Sequence, residues 1–241
     1  RRQRQMCIRD RNYVEETYKR PFLDRLFRNI LSFVLPRPKA FLLMAWSSKI
    51  VKPFSFLFPK FIRNALNLMP DKIPGKKLKE KKVYEVEKGK KVSRVALLTG
   101  CVQRVISPEI NESTIRLLNR HNVEVVVMPD IYCCGSLNHH LGKQKLAHES
   151  FKNNINSWHE EYLKNGLDAI ISNTSGCGTT LKDYGHIFKN DQNLKKKAKK
   201  ISELTKDITE YLDENLKLNI NLNTEKKYKI AYHSACSMQH G

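Results

Sequence analysis

Apolar and polar positions change their rhythm along the chain. From residue 93 onward, short apolar runs alternate with longer stretches of helical period. Arg94–Thr99 reads as a strand closed by Gly100, Val123–Met128 as a second, Asp168–Ser172 as a third and Tyr228–His233 as a fourth. Between the first two, Ser107 followed by Pro108 is a helix start. Ile110, Thr114, Leu117 and Leu118 give that helix an apolar face, and His121–Asn122 ends it. Residues 143–164 form a long helix, with Leu146, Phe151, Ile155, Trp158 and Leu163 as core contacts and Gly166 as its stop. After a turn over 173–178, a helix runs from Thr179 to Phe188, and another spans 195–216. Alternating strands and crossover-length helices predict an α/β fold: a small parallel sheet with covering helices.

The first part of the chain has a different pattern. In residues 12–70 the apolar residues are amphipathic and repeatedly broken by proline. Pro21 opens a helix through Leu35, in which Phe22, Leu23, Leu26, Phe27, Ile30, Leu31 and Val34 follow the 3.6-residue period. Pro36 and Pro38 end it. Two more short helices follow over 39–52 and 54–69. Such an arm either lies on a membrane interface, docks a partner subunit or packs on a domain outside this segment. Residues 71–92 hold nine lysines and read as a basic linker, with a short edge strand at Val83–Val86. Residues 1–11 fit nothing downstream and resemble translated sequencing-adapter read-through; setting them apart removes Cys7 and predicts that the natural chain starts further upstream. The compact domain then spans 93–225, and 226–241 begins a further unit.

Composition refines this picture. The formal net charge is +20 and the mean hydropathy −0.53 over 241 residues. A basic balance favours anionic partners. Lysine, asparagine and isoleucine are abundant together, as AT-rich coding produces, and no nucleic-acid-binding motif accompanies the charge. Specific nucleic-acid binding is therefore not expected. The longest uninterrupted apolar run is Ala40–Trp46, too short to cross a bilayer.

The cysteines carry the candidate chemistry. Cys101, the pair Cys133–Cys134, and Cys177 each follow an apolar strand by a few residues. Carboxyl ends of parallel strands share one edge of a sheet, so the spacing predicts that the four sulfurs converge. Glycine borders each position: Gly100, Gly135, and Gly176 with Gly178. Clustered thiols at strand ends suit iron–sulfur or zinc ligation better than a disulfide framework. Gln103 and Arg104 follow Cys101 at the same edge, where Arg104 would face an anionic cluster or a carboxylate. His139 and His140 follow the Cys-Cys-Gly turn as second-choice ligands, with helix capping as their default role. Lys182, Asp183 and Tyr184 have solvated or structural roles as their default, and His233 sits beside Cys236.

Cys101, a Cys-Cys-Gly thirty-two positions later and a cysteine after the next strand together resemble the cysteine-rich CCG domain of heterodisulfide reductase subunits and quinone-linked dehydrogenases. That family's pattern ends in Cys-x-x-Cys; here Thr174 takes the place of its first cysteine. Longer stretches narrow the match. Leu-Thr-Gly-Cys-Val-Gln-Arg-Val (98–105), Ser-Gly-Cys-Gly-Thr-Thr-Leu-Lys-Asp-Tyr-Gly (175–185) and Tyr-His-Ser-Ala-Cys-Ser-Met-Gln-His-Gly (232–241) resemble the iron–sulfur subunits of glycolate oxidases. The resemblance implies Cys101, Cys133, Cys134 and Cys177 as cofactor-binding residues, with Cys236 as the first cysteine of an incomplete second repeat. It implies [4Fe-4S] clusters in the full-length protein, on a ferredoxin-like module upstream of this segment. At the CCG site itself iron–sulfur and zinc both stand as options. It further implies flavoprotein subunits carrying FAD as partners, peripheral attachment to the inner face of the bacterial cytoplasmic membrane, and an oxidoreductase in which this segment is not catalytic alone. Alternatives are a zinc-bound or metal-free docking module, or a related subunit of a lactate or glycerol-3-phosphate dehydrogenase.

Overall fold

A computed structural model describes residues 2–69, 82–86, 89–216, 229 and 231–233, with side chains at 2–9 and 61 outside the description. The arm comprises α1 (Arg2–Thr17), α2 (Phe22–Val34), α3 (Pro38–Val51), a 3₁₀ stretch (Lys52–Leu57) and α4 (Lys60–Asn67). The helix expected over 54–69 is thus divided. Pro53 sits near the start of the 3₁₀ stretch, and Pro59 starts a new helix as its N-cap. The boundary expected after residue 11 falls inside α1.

The second region comprises β1 (Val83–Tyr84), β2 (Ser93–Leu98), α5 (Gln103–Ile106), α6 (Pro108–Arg120), β3 (Val123–Val126), α7 (Ser136–His140), α8 (Gln144–Asn165), β4 (Ala169–Ser172), α9 (Ser175–Ile187), α10 (Lys195–Leu204), β5 (Thr205–Asp207) and α11 (Ile208–Asn215). The sheet order is β1-β3-β2-β4-β5. β1 runs antiparallel along β3, and the other pairs are parallel. This is the small α/β sheet with covering helices that the periodicity predicts.

Alternation along the strands fills two apolar layers. Ala96, Leu98, Val126 and Ile170 face α8, α9 and α10, where they meet Phe151, Ile155, Trp158, Leu181, Tyr184 and Ile201. Val95, Leu97, Val125 and Ile171 face the other way, onto Ile115, Leu118 and Tyr211. Burial on both faces explains why β2, β3 and β4 read as continuous apolar runs. Gly166 ends α8 at φ +76°.

Some expectations fail, each for a local reason. Leu146 and Leu163 are exposed rather than core, because the buried stripe of α8 runs through Ala147, Phe151, Asn154, Ile155 and Trp158. Ile110 is also exposed. The helix expected over 195–216 is two helices separated by β5. Asp207 starts α11 with a capping box: its carboxylate accepts from Thr209 N–H at 2.9 Å, and Glu210 accepts from Asp207 N–H at 2.9 Å. The strand expected over 228–233 is absent at the described positions 229 and 231–233, which are irregular and exposed; 228 and 230 lie outside the described residues.

An ion pair ties the start of β2 to the end of α8. Arg94 reaches Glu161 at 2.7 Å, Glu124 at 2.5 Å and the Gly166 carbonyl at 3.0 Å. The Glu161 side chain is 3% exposed. Burial pushes the Glu161 pKa up, but hydrogen bonds from Arg94 and Asn165 outweigh it and hold the group below its ordinary value. Removing one partner of such a pair strands a buried charge. Arg94→Met is expected to lower unfolding stability by about 3–5 kcal/mol, and adding Glu161→Leu to recover most of it, both read from urea midpoints. Since the folded pKa is depressed, the pair's contribution is present above the unfolded carboxylate pKa and is lost as pH falls through the folded value.

Candidate metal centre

Three adjacent parallel strands deliver the cysteines. β2 leads through Thr99 and Gly100 to Cys101; β3 leads through residues 127–132 to Cys133 and Cys134; β4 leads through Asn173 and Thr174 to α9, which holds Cys177. Because β3, β2 and β4 are neighbours, their three loops stand at one sheet edge. Cys177 lies in the first turn of α9, not in the expected turn before a helix. Thr174 is the N-cap, and its carbonyl accepts from Cys177 N–H and Gly178 N–H at 3.0 Å each.

The four sulfurs converge in file. Cys134 Sγ lies 3.1 Å from Cys177 Sγ, and Cys101 and Cys133 are near enough to each other and to that pair to shift one another's ionisation. All four are thiols, Cys133 and Cys134 buried and Cys101 and Cys177 half-buried. Backbone amides point at two of them. Gly135 N–H donates to Cys133 Sγ at 3.3 Å and Ser136 N–H to Cys134 Sγ at 3.4 Å. The turn that aims these amides needs Gly135, at φ +77°, where a Cβ would stand 2.5 Å from Phe151 Cε1.

These contacts polarise the group. Hydrogen bonds from Cys101 and Cys134, with a smaller share from Gly135 N–H, hold the Cys133 thiol far below its ordinary pKa despite burial. Cys101 and Cys134 are pushed up, chiefly by the same bonds and by burial. The directions of these shifts favour ionisation at Cys133 over Cys101 and Cys134.

A buried polar pair positions the cysteine pair. Asn154 Nδ2 donates to the Cys133 carbonyl at 2.9 Å and to Tyr184 Oη at 3.0 Å, while Tyr184 Oη donates to the Cys134 carbonyl at 2.7 Å. A second network joins the other two loops. Gln103 Nε2 donates to Asn111 and Asn173 at 2.8 and 2.9 Å; Gln103 Oε1 accepts from Thr174 Oγ1 at 2.9 Å. Asn111 in turn donates to the Thr99 carbonyl at 2.8 Å, just before Cys101.

The other sequence candidates lie around this centre. The Arg104 guanidinium stacks 5.0 Å over Tyr132. His139 packs edge-on against Phe151 at 5.4 Å; burial, then His140 and His148, lower its pKa to about 4, so its ring is neutral near pH 7. His140 and His139 belong to α7 itself. Lys182 pairs with Glu210 at 2.7 Å, and Asp183 is buried in α9. His233 is exposed, and Cys236 lies outside the described residues. Asn154 went unnoticed in the sequence, although a polar residue in the register of Phe151, Ile155 and Trp158 marks a core position that needs partners. Tyr184, left there as a structural default, is the other half of that clamp.

Among the described residues, no group of three or more His, Cys, Asp or Glu is arranged around one point as a metal site. The donor chemistry nonetheless fits a sulfur-ligated centre: four soft thiols, two of them receiving backbone N–H groups, which is the kind of hydrogen bonding that tunes iron–sulfur centres.

Residues 95–182 match the family described as the CCG cysteine-rich domain. The chain is 33% identical over 230 residues to the glycolate oxidase iron–sulfur subunit of Escherichia coli, covering 95% of this chain and 53% of that protein. It is 28% identical over 183 residues to the probable glycolate oxidase iron–sulfur subunit of Bacillus subtilis, 76% of this chain and 40% of that one. Lactate utilization protein A of Anoxybacillus flavithermus is 27% identical over 145 residues, 60% of this chain and 58% of that protein. The chain thus spans about half the length of the curated relatives it matches. No solved structure matches it.

The clamp on the CCG turn is open to test. Tyr184→Phe leaves the buried Cys134 carbonyl without its donor and is expected to cost about 1–3 kcal/mol of stability in thermal or urea unfolding.

Proposed function

We propose that this chain acts as an iron–sulfur electron-transfer subunit of a glycolate-oxidising complex. The observation that carries the reading is the convergence of four thiols at the edge of a CCG domain. In this reading a flavoprotein partner carrying FAD oxidises glycolate to glyoxylate, and the electrons pass toward membrane quinone. When bound, the iron–sulfur group supplies one-electron transfer. The chain's residues would hold and tune it: Cys101, Cys133, Cys134 and Cys177 as thiolates, with the amides of Gly135 and Ser136 hydrogen-bonded to the sulfurs of Cys133 and Cys134. Asn154 and Tyr184 fix the turn, so the role is placement of a redox centre and not proton abstraction from substrate.

A second reading, a zinc-bound structural module, is favoured by one observation. Thr174, which stands where the family pattern has a cysteine, is committed to Gln103. Metal analysis separates the two. Protein purified without oxygen is expected to carry iron with acid-labile sulfide and a paramagnetic signal on reduction, lost in Cys133→Ser and in Cys177→Ser. Zinc without sulfide supports the structural reading, and no metal at all defeats both. Dye reduction by the assembled complex with glycolate against lactate sorts the substrate.

The arm fits an anionic membrane surface. Between residues 25 and 69 it carries Arg25, Arg28, Arg37, Lys39, Lys49, Lys52, Lys60 and Arg63 and no Asp or Glu. Exposed apolar side chains lie among these cations: Leu43 and Ile50 are each 72% exposed and Leu68 is 87%. Lys49 sits 5.4 Å over Trp46 and Arg37 4.2 Å over Phe33, the pairing of cation and aromatic that suits a headgroup layer. Among the described residues no helix is long and apolar enough to cross a membrane. The chain is expected to float with phosphatidylglycerol vesicles at low salt, to release at high salt, and to lose binding in Leu43→Glu/Ile50→Glu. Flotation unaffected by that double variant, or arm-dependent capture of the flavoprotein without vesicle binding, would overturn the membrane assignment.

A further inference from the structure

We infer that Cys134 and Cys177 form a reversible disulfide when the site is empty of metal, making the CCG edge a thiol modification site. The inference concerns the sulfurs of the proposed centre but does not require iron. Cys134 is buried at 3% exposure and its sulfur lies 3.1 Å from that of Cys177, closer than any ordinary non-bonded sulfur contact. A disulfide needs the two sulfurs about 2 Å apart, so closure takes about 1 Å of movement. Side-chain rotation at Cys177 supplies that movement in the first turn of α9.

Exposure sets the order of events. Cys177 is the accessible sulfur of the pair and Cys134 the buried one. With a low-molecular-weight disulfide as oxidant, the Cys177 thiolate attacks one of its sulfurs. A mixed disulfide forms on Cys177, and one small thiol leaves. Cys134 then gives up its proton, attacks the Cys177 sulfur and expels the second small thiol. The protein loses two protons and two electrons, and the small disulfide takes them up to become two thiols. Cys101 and Cys133 remain reduced. Two sulfurs are then withdrawn from any metal, so oxidation and loading exclude each other.

The test uses the full chain, stripped of metal with a chelator under argon and equilibrated with glutathione disulfide. Peptide mapping is expected to find Cys177 linked to the Cys133–Cys134 peptide, with the linkage retained in Cys133→Ser and Cys101→Ser. Cys134→Ser is expected to stop at a glutathione adduct on Cys177. Iron uptake from ferrous iron and sulfide should be lost in the oxidised wild-type chain and return after dithiothreitol. A linkage through Cys133 or Cys101, an adduct on Cys177 alone in the wild-type chain, or no reaction overturns the inference. Failure here leaves iron binding by the reduced chain untouched. Conversely, a disulfide in a chain that never binds iron refutes the proposed function and not this pair.

Discussion

The close packing of thiols at a nearly buried sheet edge is the constraint around which this domain is arranged. Cys133 is only 9% exposed, and an isolated anion there would be costly. The cost is met by donors: the thiols of Cys101 and Cys134 on either side, and the Gly135 amide beneath. Each donor depends on a larger feature. Cys101 is within reach because β2 and β3 are neighbours, and the amide points inward because Gly135 adopts a backbone conformation that its contact with Phe151 reserves for glycine. Asn154 and Tyr184 then hold the two carbonyls of the same turn. The sheet order, the α8 stripe and the α9 tyrosine therefore serve one local electrostatic requirement.

The arm meets the domain close to this centre. Ser32 of α2 donates to Asn138 of α7 at 2.7 Å, and Arg28 reaches the Leu141 carbonyl at 2.8 Å. α3 packs its buried Phe41, Ala45 and Ser48 inward and contacts α5, the helix that follows Cys101. The short helices after Cys101 and after Cys134 are thus both fastened to the arm. A surface that engages a membrane or partner through the arm is mechanically continuous with two of the three cysteine loops.

How much of this could be read in advance follows the range of the interactions. The strands were legible because burial on both faces leaves an unbroken apolar signature, as in Val95–Leu98 and Val125–Met128. The meeting of the four cysteines followed from topology alone, since parallel strands share a carboxyl edge. Short-range competition was harder to read. The Asp207-x-x-Glu210 capping box was present in the sequence, yet the helical period on either side of it hid β5. Gly176 and Gly178 looked like a turn, whereas Thr174 at the N-cap pulls both into α9. The Gln103–Asn111–Asn173–Thr174 network joins residues up to 71 positions apart and has no periodic signature at all.

Thr174 shows how one position bears on both chemistries of the site. A cysteine there would stand one helical turn before Cys177, at the N-cap of the same helix. Threonine instead donates to Gln103, and Gln103 bonds to the residues that brace the Cys101 loop. The substitution exchanges a soft donor for a hydrogen bond that joins the Cys101 and Cys177 loops. Cys134 is then the sulfur within contact of Cys177, since Cys133 is engaged with Cys101. A frame held this way keeps two thiols close enough to bond to each other, and the same closeness lets them close on a soft metal. If the edge takes up metal as proposed, the supply of metal against that of oxidant sets which outcome prevails, because each reaction would use the same two sulfurs.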